Sequence, residues 1–389
     1  MVRKTGTYET TTVGGELVKA FLPFPLPPAG PKLHINKKIE PLLQSATQAL
    51  GTLNLAGKMI PSIGWFIYAF VRKEAVTSSQ IEGTQATLID LLTFEAEDTT
   101  EKKSEADIEE VCNYLKALKF ARNQLKRKNG LPLSMRLLNE THKRLMTGVR
   151  GGTKQPGAIR KSQNWIGGAR PGVARFVPPP PLALATLLSE LEKYIHADDD
   201  LPPLIRIGLL HVQFETIHPY LDGNGRMGRL LITLLLEYWN LLEQPLLYLS
   251  LYFKRHRDDY YDRLGRVRTH GDWEGWSEFF LDGVSTIAGE AAQLAEDLFA
   301  MINQDRKKVV ESDDATLMAV RLFEQLPLHP LVKMPGVVKL LETTKPTAIK
   351  AIETLQKLGI LVEQSGRRRD RIFGYAAYLE KLRVGTELL

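Results

Sequence analysis

The sequence of 389 residues contains a single cysteine, Cys112, which excludes an internal disulfide framework and a zinc site built from cysteines. Its first residues, MVRKTGTYETTTVGG, lack the apolar core of a secretory signal peptide. Charged and amide residues and Pro245 interrupt the longest apolar stretch, 230–252, so it predicts two buried helices joined by a turn instead of a membrane span. These absences predict a soluble, cytoplasmic protein without a membrane partner.

A strong excess of one charge is also absent. The formal net charge is +6 with a pI near 9.1, and 43% apolar and 25% charged residues are ordinary for a globular protein. Such a small excess permits contact with phosphates or acidic partners, but it does not by itself indicate nucleic-acid binding. The length predicts two or three domains, and no internal repeat is visible.

Helical periodicity dominates the chain and predicts a mostly α fold. Residues 1–34 are rich in proline and predict an extended arm over the surface, whereas 35–130 predict an N-terminal helical region. A core follows over 131–310, in which the glycine- and proline-rich stretch 148–181 breaks the helical period and predicts a β-hairpin-like excursion. The acidic run ESDD marks the start of a C-terminal unit, 311–389.

The stretch HPYLDGNGRMGR, 218–229, places three glycines between two helical segments, where a glycine costs about 0.5–1 kcal/mol relative to alanine. A glycine-rich loop that opens a helix presents free backbone N–H groups at the positive end of the helix dipole, which favours phosphate. Arg226 and Arg229 add positive charge, and Asn224 carries an amide that can donate to a phosphate oxygen. The stretch therefore predicts a phosphate loop, although neither GxxxxGK[ST] nor a GxGxxG following a strand is present.

Two further residues of this loop point to chemistry. Asp222 is an anion inside a site for anions, and beside a polyphosphate its natural role is to hold a divalent cation such as Mg²⁺. His218 lies at the other rim of the loop and titrates near neutrality, which suits a general base. Together they predict a nucleotide-phosphate site with a metal at Asp222 and a catalytic base at His218.

The stretch 218–229 resembles the signature HxFx[DE]GNGRxxR of the Fic family, with Tyr220 in place of the phenylalanine. The resemblance covers most of the chain and implies a protein adenylyltransferase, which transfers AMP from ATP to a Ser, Thr or Tyr hydroxyl of a target protein. It implies that His218 deprotonates this hydroxyl and that Asp222 carries Mg²⁺ on the ATP phosphates. The implied nucleotide-binding residues are Asp222, Gly223, Asn224, Gly225, Arg226, Gly228, Arg229 and Tyr260.

The resemblance also assigns a role to the irregular stretch 148–181. It falls where the family has its flap, a hairpin that docks an extended target segment by strand pairing. The working tip of the flap would be formed by Asn164, Trp165, Ile166 and Gly167. Tyr260 resembles the tyrosine that lines the adenine pocket, although an ordinary helix aromatic explains it equally well. Where relatives often carry an asparagine at the far side of that pocket, this sequence has Arg268.

A second signal, TSSQIEGTQ at 77–85, follows a helical segment that Gly83 ends. Glu82 then lies in the last turn, where the helix dipole disfavours an anion, so its carboxylate requires a cation from elsewhere in the fold. Ser78, Glu82 and Gly83 match the family's inhibitory motif [S/T]xxxE[G/N]. The resemblance implies that Glu82 pairs with Arg229 and keeps the γ-phosphate from binding productively, as in members with an N-terminal inhibitory helix (class II). The alternative is a surface glutamate at a frayed helix end.

The unit 311–389 has the order helix, helix, turn, helix and two short strands around a basic turn, which is the order of a winged helix-turn-helix domain. Such a unit can place its third helix in the major groove of DNA and its wing on the backbone. The basic turn contains Arg367, Arg368, Arg369 and Arg371, but the charge excess of the unit is modest for a DNA-binding domain. Protein docking or dimerisation is the alternative, because a fold does not determine a function.

The sequence thus predicts a mostly α protein with a Fic-type helical core, a β-hairpin flap and a C-terminal winged helix. Its predicted function is autoinhibited protein adenylylation, with ATP as substrate and Mg²⁺ as cofactor. The predicted partner is a target protein with a hydroxyl side chain, and self-modification, DNA contact and a homodimer are further candidates. Two rival functions stay open: a DNA-binding transcriptional regulator whose core only senses nucleotide, and a relative that transfers phosphate or removes AMP. Gly225 is intact where phosphate-transferring relatives typically carry a lysine, which favours AMP transfer.

Overall fold

The computed structural model describes residues 3–59, 63–97, 106–149, 151–366 and 369–388, and most of them are helical, as predicted. The helices are α1 (Ile39–Met59), α2 (Ile63–Ile81), α3 (Leu88–Ala96), α4 (Ala106–Lys126), α5 (Met135–Met146), α6 (Leu184–His196), α7 (Pro203–Ile217), α8 (Asn224–Tyr238), α9 (Ser250–Arg255), α10 (Arg257–His270), α11 (Trp273–Glu311), α12 (Leu317–Gln325), α13 (Met334–Leu341), α14 (Lys345–Lys357) and α15 (Ala376–Arg383). The strands are β1 (Gly6–Val13), β2 (Glu16–Pro23), β3 (Leu331–Lys333), β4 (Leu361–Glu363) and β5 (Ile372–Tyr375).

The N-terminal arm is more regular than its proline content predicts. β1 and β2 form an antiparallel hairpin in which Val13 is paired with Glu16. Gly14 and Gly15 make its two-residue turn with φ angles of 56° and 83°, a conformation that glycine adopts without steric cost. The prediction of an extended arm over 1–34 missed this pairing, although the GG dipeptide between two alternating stretches is a known hairpin signal.

The centre of the protein is formed by α7 and α8, in which nearly every residue is buried. A helix that is apolar on most faces, as α8 is, can be buried on all sides. α6 and α11 contact α7, α2 and α4 contact α8, and α1 lies along α11. One apolar cluster extends from Leu33 to Leu382 and thus across the positions 130 and 310, where the domain boundaries stay predictions. In the described ranges, none of the helices has both the length and the apolarity that crossing a bilayer requires.

The irregular stretch predicted over 148–181 contains hairpin-like backbone hydrogen bonds, among them one from Arg175 N–H to the Gly167 carbonyl at 3.4 Å. Ile166 N–H donates to the Phe176 carbonyl at 2.8 Å, and Phe176 N–H donates back to the Ile166 carbonyl at 3.0 Å. The N-terminal hairpin contacts this flap, because Phe21 N–H donates to the Val177 carbonyl at 3.0 Å. The flap therefore contains a short β-bridge and makes a backbone hydrogen bond to β2.

After α11 ends at Glu311, the chain forms α12, β3, α13, α14, β4, β5 and α15 in that order. β5 lies between β3 and β4 in an antiparallel sheet of three strands. The sequence analysis predicted three helices and the β4–β5 pair, but it missed α15 and β3, which is only three residues long. Arg367 and Arg368 of the predicted wing lie outside the described residues.

Candidate active site

Residues 218–223 form a short loop between the C-terminus of α7 and the N-terminus of α8. His218 ends α7 in the left-handed conformation, with φ 50°, and Gly223 precedes α8 with φ 76°. The amides of the first turn of α8 have no acceptor within their own helix. The predicted arrangement of helix, glycine-rich loop and helix is therefore present.

Asn224 holds this loop from inside. Its Oδ1 accepts a hydrogen bond from Tyr220 N–H at 2.9 Å, and its Nδ2 donates to the Tyr220 carbonyl at 2.8 Å. The amide that the sequence analysis expected to donate to phosphate is thus engaged within the loop. Tyr220 is fully buried, and its hydroxyl donates to Oδ1 of Asn139 on α5 at 2.9 Å.

His142 on α5 is a second support that the sequence analysis missed. Its ring stacks on Tyr220, with centroids 3.7 Å apart and planes 4° from parallel. Its Nδ1 accepts from Gly157 N–H at 2.9 Å, so the neutral ring carries its proton on Nε2, which donates to the Asp222 carbonyl at 2.9 Å. Burial lowers the pKa of His142 to about 4, against the opposing effect of the bond to Asp222. The loop is therefore clamped by uncharged contacts.

His218 faces the cavity beside the loop and is half-buried. Burial and the positive charge of Arg160 lower its pKa to about 4. Arg160 also fixes the rim, because its Nε donates to the His218 carbonyl and its backbone N–H to the Pro219 carbonyl, both at 2.9 Å. A neutral imidazole held in this way can accept a proton at neutral pH.

Asp222 lies at the opposite end of the loop from His218. Its Oδ1 accepts from Gly223 N–H at 2.6 Å, and no described residue donates a hydrogen bond to Oδ2. A Cβ on Gly151 would overlap Oδ2, so the flap approaches this carboxylate closely. In the described part of the chain, no group of three or more His, Cys, Asp or Glu side chains comes together as a metal site.

Arg229 is fully buried and points from α8 toward the end of α2. Its Nη2 lies 2.7 Å from Oε1 of Glu82 and donates to the Ser78 carbonyl at 2.8 Å, while its Nε donates to Ser78 Oγ at 2.9 Å. Burial raises the pKa of Glu82, but the charge and hydrogen bond of Arg229 outweigh it, so this pKa lies below its usual value. The cation that Glu82 requires is therefore Arg229. Gly83 follows the end of α2 with φ 96°.

Arg226 points in another direction. Its guanidinium is buried, and its Nη1 lies 3.3 Å from Oε2 of Glu110 on α4. The same Oε2 accepts from the Thr84 hydroxyl at 2.9 Å, just beyond Gly83. Both arginines of the loop thus contact carboxylates of the N-terminal helical region in this conformation.

The loop glycines are surrounded by protein groups. A Cβ on Gly225 would overlap Oε1 of Glu82, and a Cβ on Gly228 would overlap Oε1 of Glu215. On Gly223 it would come within 2.6 Å of the Met146 sulfur. The sequence analysis explained these glycines by access for phosphate alone, but close approach of Glu82 and Glu215 also requires them in this conformation.

One cavity beside the loop brings part of the predicted site together. Six residues that the sequence analysis selected line it: Glu82, Ile166, His218, Gly225, Arg229 and Tyr260. The other selected residues surround the loop or the flap without lining this cavity: Ser78, Gly83, Asn164, Trp165, Gly167, Asp222, Gly223, Asn224, Arg226 and Gly228. The predicted base and the inhibitory glutamate therefore share one cavity, which the metal carboxylate does not line.

Tyr260 contributes little of the cavity surface. It is 1% exposed, and its hydroxyl lies 2.9 Å from Nε2 of His211 in the core. Its neighbour Tyr261, which the sequence analysis did not select, is more exposed and lines the same cavity. Contact of Tyr260 with adenine stays a prediction.

Glu215 and Arg268 also line this cavity. Burial raises the pKa of Glu215 to about 7, against the lowering effect of Arg229. The Arg268 guanidinium stacks on the flap residue Phe176, 3.9 Å from the ring centre. Glu215 was missed, although it lies three residues before His218 and so on the same face of α7.

The predicted tip of the flap lies over the loop. Nδ2 of Asn164 donates to the Tyr220 carbonyl at 3.2 Å. Trp165 and Ile166 remain 38% and 37% exposed, and Gly167 has φ 70°. The tip therefore presents two apolar side chains to solvent at the edge of the cavity.

Comparison with known protein families gives two adjacent matches. Residues 41–123 match the model described as Fic/DOC family N-terminal, and residues 132–236 match the model described as Fic/DOC family. Together these ranges contain Glu82 and the whole loop 218–229.

Curated relatives and solved structures carry related names. Proteins named Protein adenylyltransferase Fic from Culex quinquefasciatus and Aedes aegypti are 30% and 29% identical over 185 residues, which cover 46% of this chain and 33% of each relative. The chain thus spans about a third of the length of these relatives. A Fic family protein from Desulfovibrio desulfuricans G20 has a similar fold, with TM-score 0.55 and 19% identity over 88% of this chain and 97% of that one. Fic-1 (residues 134–508) from C. elegans has TM-score 0.51 and 21% identity over 68% and 73%.

Proposed function

Because the chain belongs to the Fic/DOC family, we propose that it is a protein adenylyltransferase, which transfers AMP from ATP to a hydroxyl side chain of a target protein. The observation that carries this proposal is a neutral His218 in one cavity with Arg229 and the first turn of α8. A base and an anion site in contact with the same space fit transfer of a phosphate-containing group to a hydroxyl. Two relatives that are named for this activity are 30% and 29% identical to this chain over 185 residues.

The proposed step needs three functions from this chain. His218 accepts the proton of the target hydroxyl, whose oxygen forms a bond to the α-phosphorus of ATP while the bond to the diphosphate breaks. Arg229 and the amides at the start of α8 hold the phosphates in line for this displacement. The flap docks the target segment by backbone pairing beside the Ile166–Phe176 bridge.

A magnesium ion fits the donor chemistry at Asp222. Mg²⁺ needs few protein ligands because it keeps waters and phosphate oxygens in its shell. Oδ2 of Asp222 receives no hydrogen bond from a described residue, so one carboxylate oxygen is available as a ligand. The ion would neutralise phosphate charge and orient the leaving diphosphate.

We further propose that the protein is autoinhibited in the described conformation. The Glu82 carboxylate forms a salt bridge with the Arg229 guanidinium. A γ-phosphate would compete with this carboxylate for the same guanidinium. Ser78 also holds Arg229 in place, because its hydroxyl and its carbonyl accept hydrogen bonds from the Arg229 guanidinium. ATP must therefore displace Glu82 before its phosphates can bind in the productive arrangement.

The activity is tested with full-length protein, Mg²⁺ and ATP labelled at either the α- or the γ-phosphate. We expect protein-bound label from α-labelled ATP only, on a target from a lysate or on the protein itself, more strongly with Glu82→Gly. Label from the γ-position alone would establish phosphate transfer instead. A chase with unlabelled ATP separates AMP removal, because removal releases label already bound. No protein label in either arm, with nucleotide binding intact, would contradict transfer.

DNA contact by the C-terminal unit is a second candidate, which the surface of α14 favours. Lys345 and Lys350 are exposed on this helix, the third in the proposed winged helix. Full-length protein should retard duplex DNA less as salt rises, because phosphate contacts release counterions. Lys350→Glu should weaken the shift, whereas Lys307→Glu on α11 is a matched control outside the unit. Equal binding by both variants, or none at low salt, would favour protein docking.

A further inference from the structure

Residues 384–388, which follow α15, contact side chains of α2 and α9. Thr386 within them is 1% exposed. Nε2 of Gln80 donates to the Thr386 carbonyl at 2.8 Å, and Nζ of Lys254 on α9 donates to the Gly385 carbonyl at 3.2 Å and to the Glu387 carbonyl. We name residues 384–388 the clasp segment. The burial of Thr386 and these partly buried hydrogen bonds show that the clasp segment packs against α2 and α9.

Gln80 connects the clasp segment to the inhibitory residues. It lies between Ser78 and Glu82, two residues before the carboxylate that pairs with Arg229. The same Nε2 donates to the Ala86 carbonyl at 2.9 Å, so one amide group joins the end of α2, the loop after Gly83 and the clasp segment.

A second contact restrains the backbone next to Glu82. Nη2 of Arg257 donates to the Ile81 carbonyl at 3.2 Å, three residues along the chain from Lys254. Glu82 therefore follows two consecutive residues that are both held from outside α2. Local opening of a segment is governed by the contacts that the opening breaks. Release of Glu82 from Arg229 through backbone motion must break or strain these contacts.

We infer that the clasp segment is a second restraint on the catalytic site: by holding Gln80 it keeps Glu82 on Arg229, and its displacement raises adenylyl transfer. The inference rests on the proposed function and adds a route of control to it. The clasp segment continues directly from α15 of the C-terminal unit. A ligand that shifts this unit would therefore change the population of the released state, since both events share one equilibrium.

The test compares two lysine variants of the full-length protein. Lys254→Met removes the two hydrogen bonds to the clasp segment but leaves the loop 218–229 and the flap unchanged. Lys381→Met is the matched control, because Lys381 on α15 pairs with Asp297 on α11 at 2.9 Å and not with the clasp segment. A second matched pair uses glycines with positive φ. A Cβ on Gly385 would lie 2.6 Å from Leu251, whereas one on Gly359 meets nothing within 4 Å.

Two readouts separate this inference from the proposed function. Hydrogen exchange at the amides of residues 79–84 should be several-fold faster in Lys254→Met and Gly385→Ala, and unchanged in Lys381→Met and Gly359→Ala. Transfer of label from α-labelled ATP should rise several-fold in the first two variants, without exceeding that of Glu82→Gly. In a Glu82→Gly background, the same changes should add nothing, because the restrained carboxylate is gone.

Some results would overturn the inference while leaving the proposed function intact. In folded variants, unchanged exchange at residues 79–84 would show that the clasp segment does not restrain them. An equal increase of transfer with and without Glu82 would show that the effect does not pass through this carboxylate. If Glu82→Gly transfers no label at all, the proposed function fails, whereas the exchange measurement still decides whether the clasp segment restrains the inhibitory residues.

Discussion

Replacing Glu82 with glycine removes the carboxylate that occupies both Arg229 and the space next to Gly225. Oε1 of Glu82 lies 2.7 Å from Nη2 of Arg229, and the two side chains are 32% and 1% exposed. A hydrogen bond to a charged group contributes about 1.5–3 kcal/mol. The lower end applies here, because the partly exposed carboxylate is screened by solvent. At about 1.4 kcal/mol per factor of ten, we expect Glu82→Gly to raise transfer on the order of tenfold.

The assay is the initial rate of label transfer from α-labelled ATP, measured together with the dissociation constant of ATP. Glu82→Gln is the matched variant, because it keeps the volume of the side chain and removes its charge. It should raise transfer less than glycine, since its amide still fills the space beside Gly225. A Glu82→Gly protein that binds ATP but transfers no faster than the parent would refute competition for Arg229.

Four further predictions concern the machinery around the loop, measured in the Glu82→Gly background. His218→Ala should keep ATP binding and lower transfer by about 10²–10⁴-fold, the usual loss of a general base. Asp222→Ala should lose Mg²⁺-dependent transfer, and a chelator should abolish transfer by the protein that retains Asp222; transfer that survives the chelator would exclude the metal. In the parent protein instead, where Glu82 is present, transfer should fall as pH drops through about 4, because only neutral His218 accepts a proton, and a separate step near pH 7 that Glu215→Gln abolishes would report the Glu215 carboxyl. His142→Phe keeps the ring that stacks on Tyr220 but loses the hydrogen bonds of His142 to the Asp222 carbonyl and from Gly157 N–H. Transfer should therefore fall with little change in melting temperature. Unchanged transfer would show that these two hydrogen bonds are dispensable.

Much of the fold could be predicted from periodicity and punctuation. α7 and α8 follow from apolar runs on either side of a glycine-rich loop, and the mostly α fold follows from the same pattern along the chain. β3 and α15 were missed, and β3 is defined as a strand only by its pairing with β5 in the folded chain. The β1–β2 hairpin was missed because proline content was weighed above the GG turn.

The candidate site divides in the same way. His218, Arg229 and the loop glycines could be identified together because they belong to one short motif in the sequence. The pairing of Glu82 with Arg229 followed from the resemblance. The dimer, self-modification and the wing's contact with DNA stay predictions. His142 and Glu215 have no motif of their own, because their roles arise only from what folding places beside them.

The sequence by itself determined the local elements and the chemical identity of the loop, because helix periodicity, glycine conformations and the order of charged residues are properties of neighbouring positions. Only the tertiary structure decided which residue meets which across long separations. Arg226 contacts Glu110 on α4, Asn224 binds the loop backbone, and the clasp segment reaches Gln80 from 306 residues away. Such contacts depend on how whole helices pack, and packing is set by the summed shape and burial of many side chains. The state of the site, with Glu82 on Arg229, is therefore a property of the folded chain.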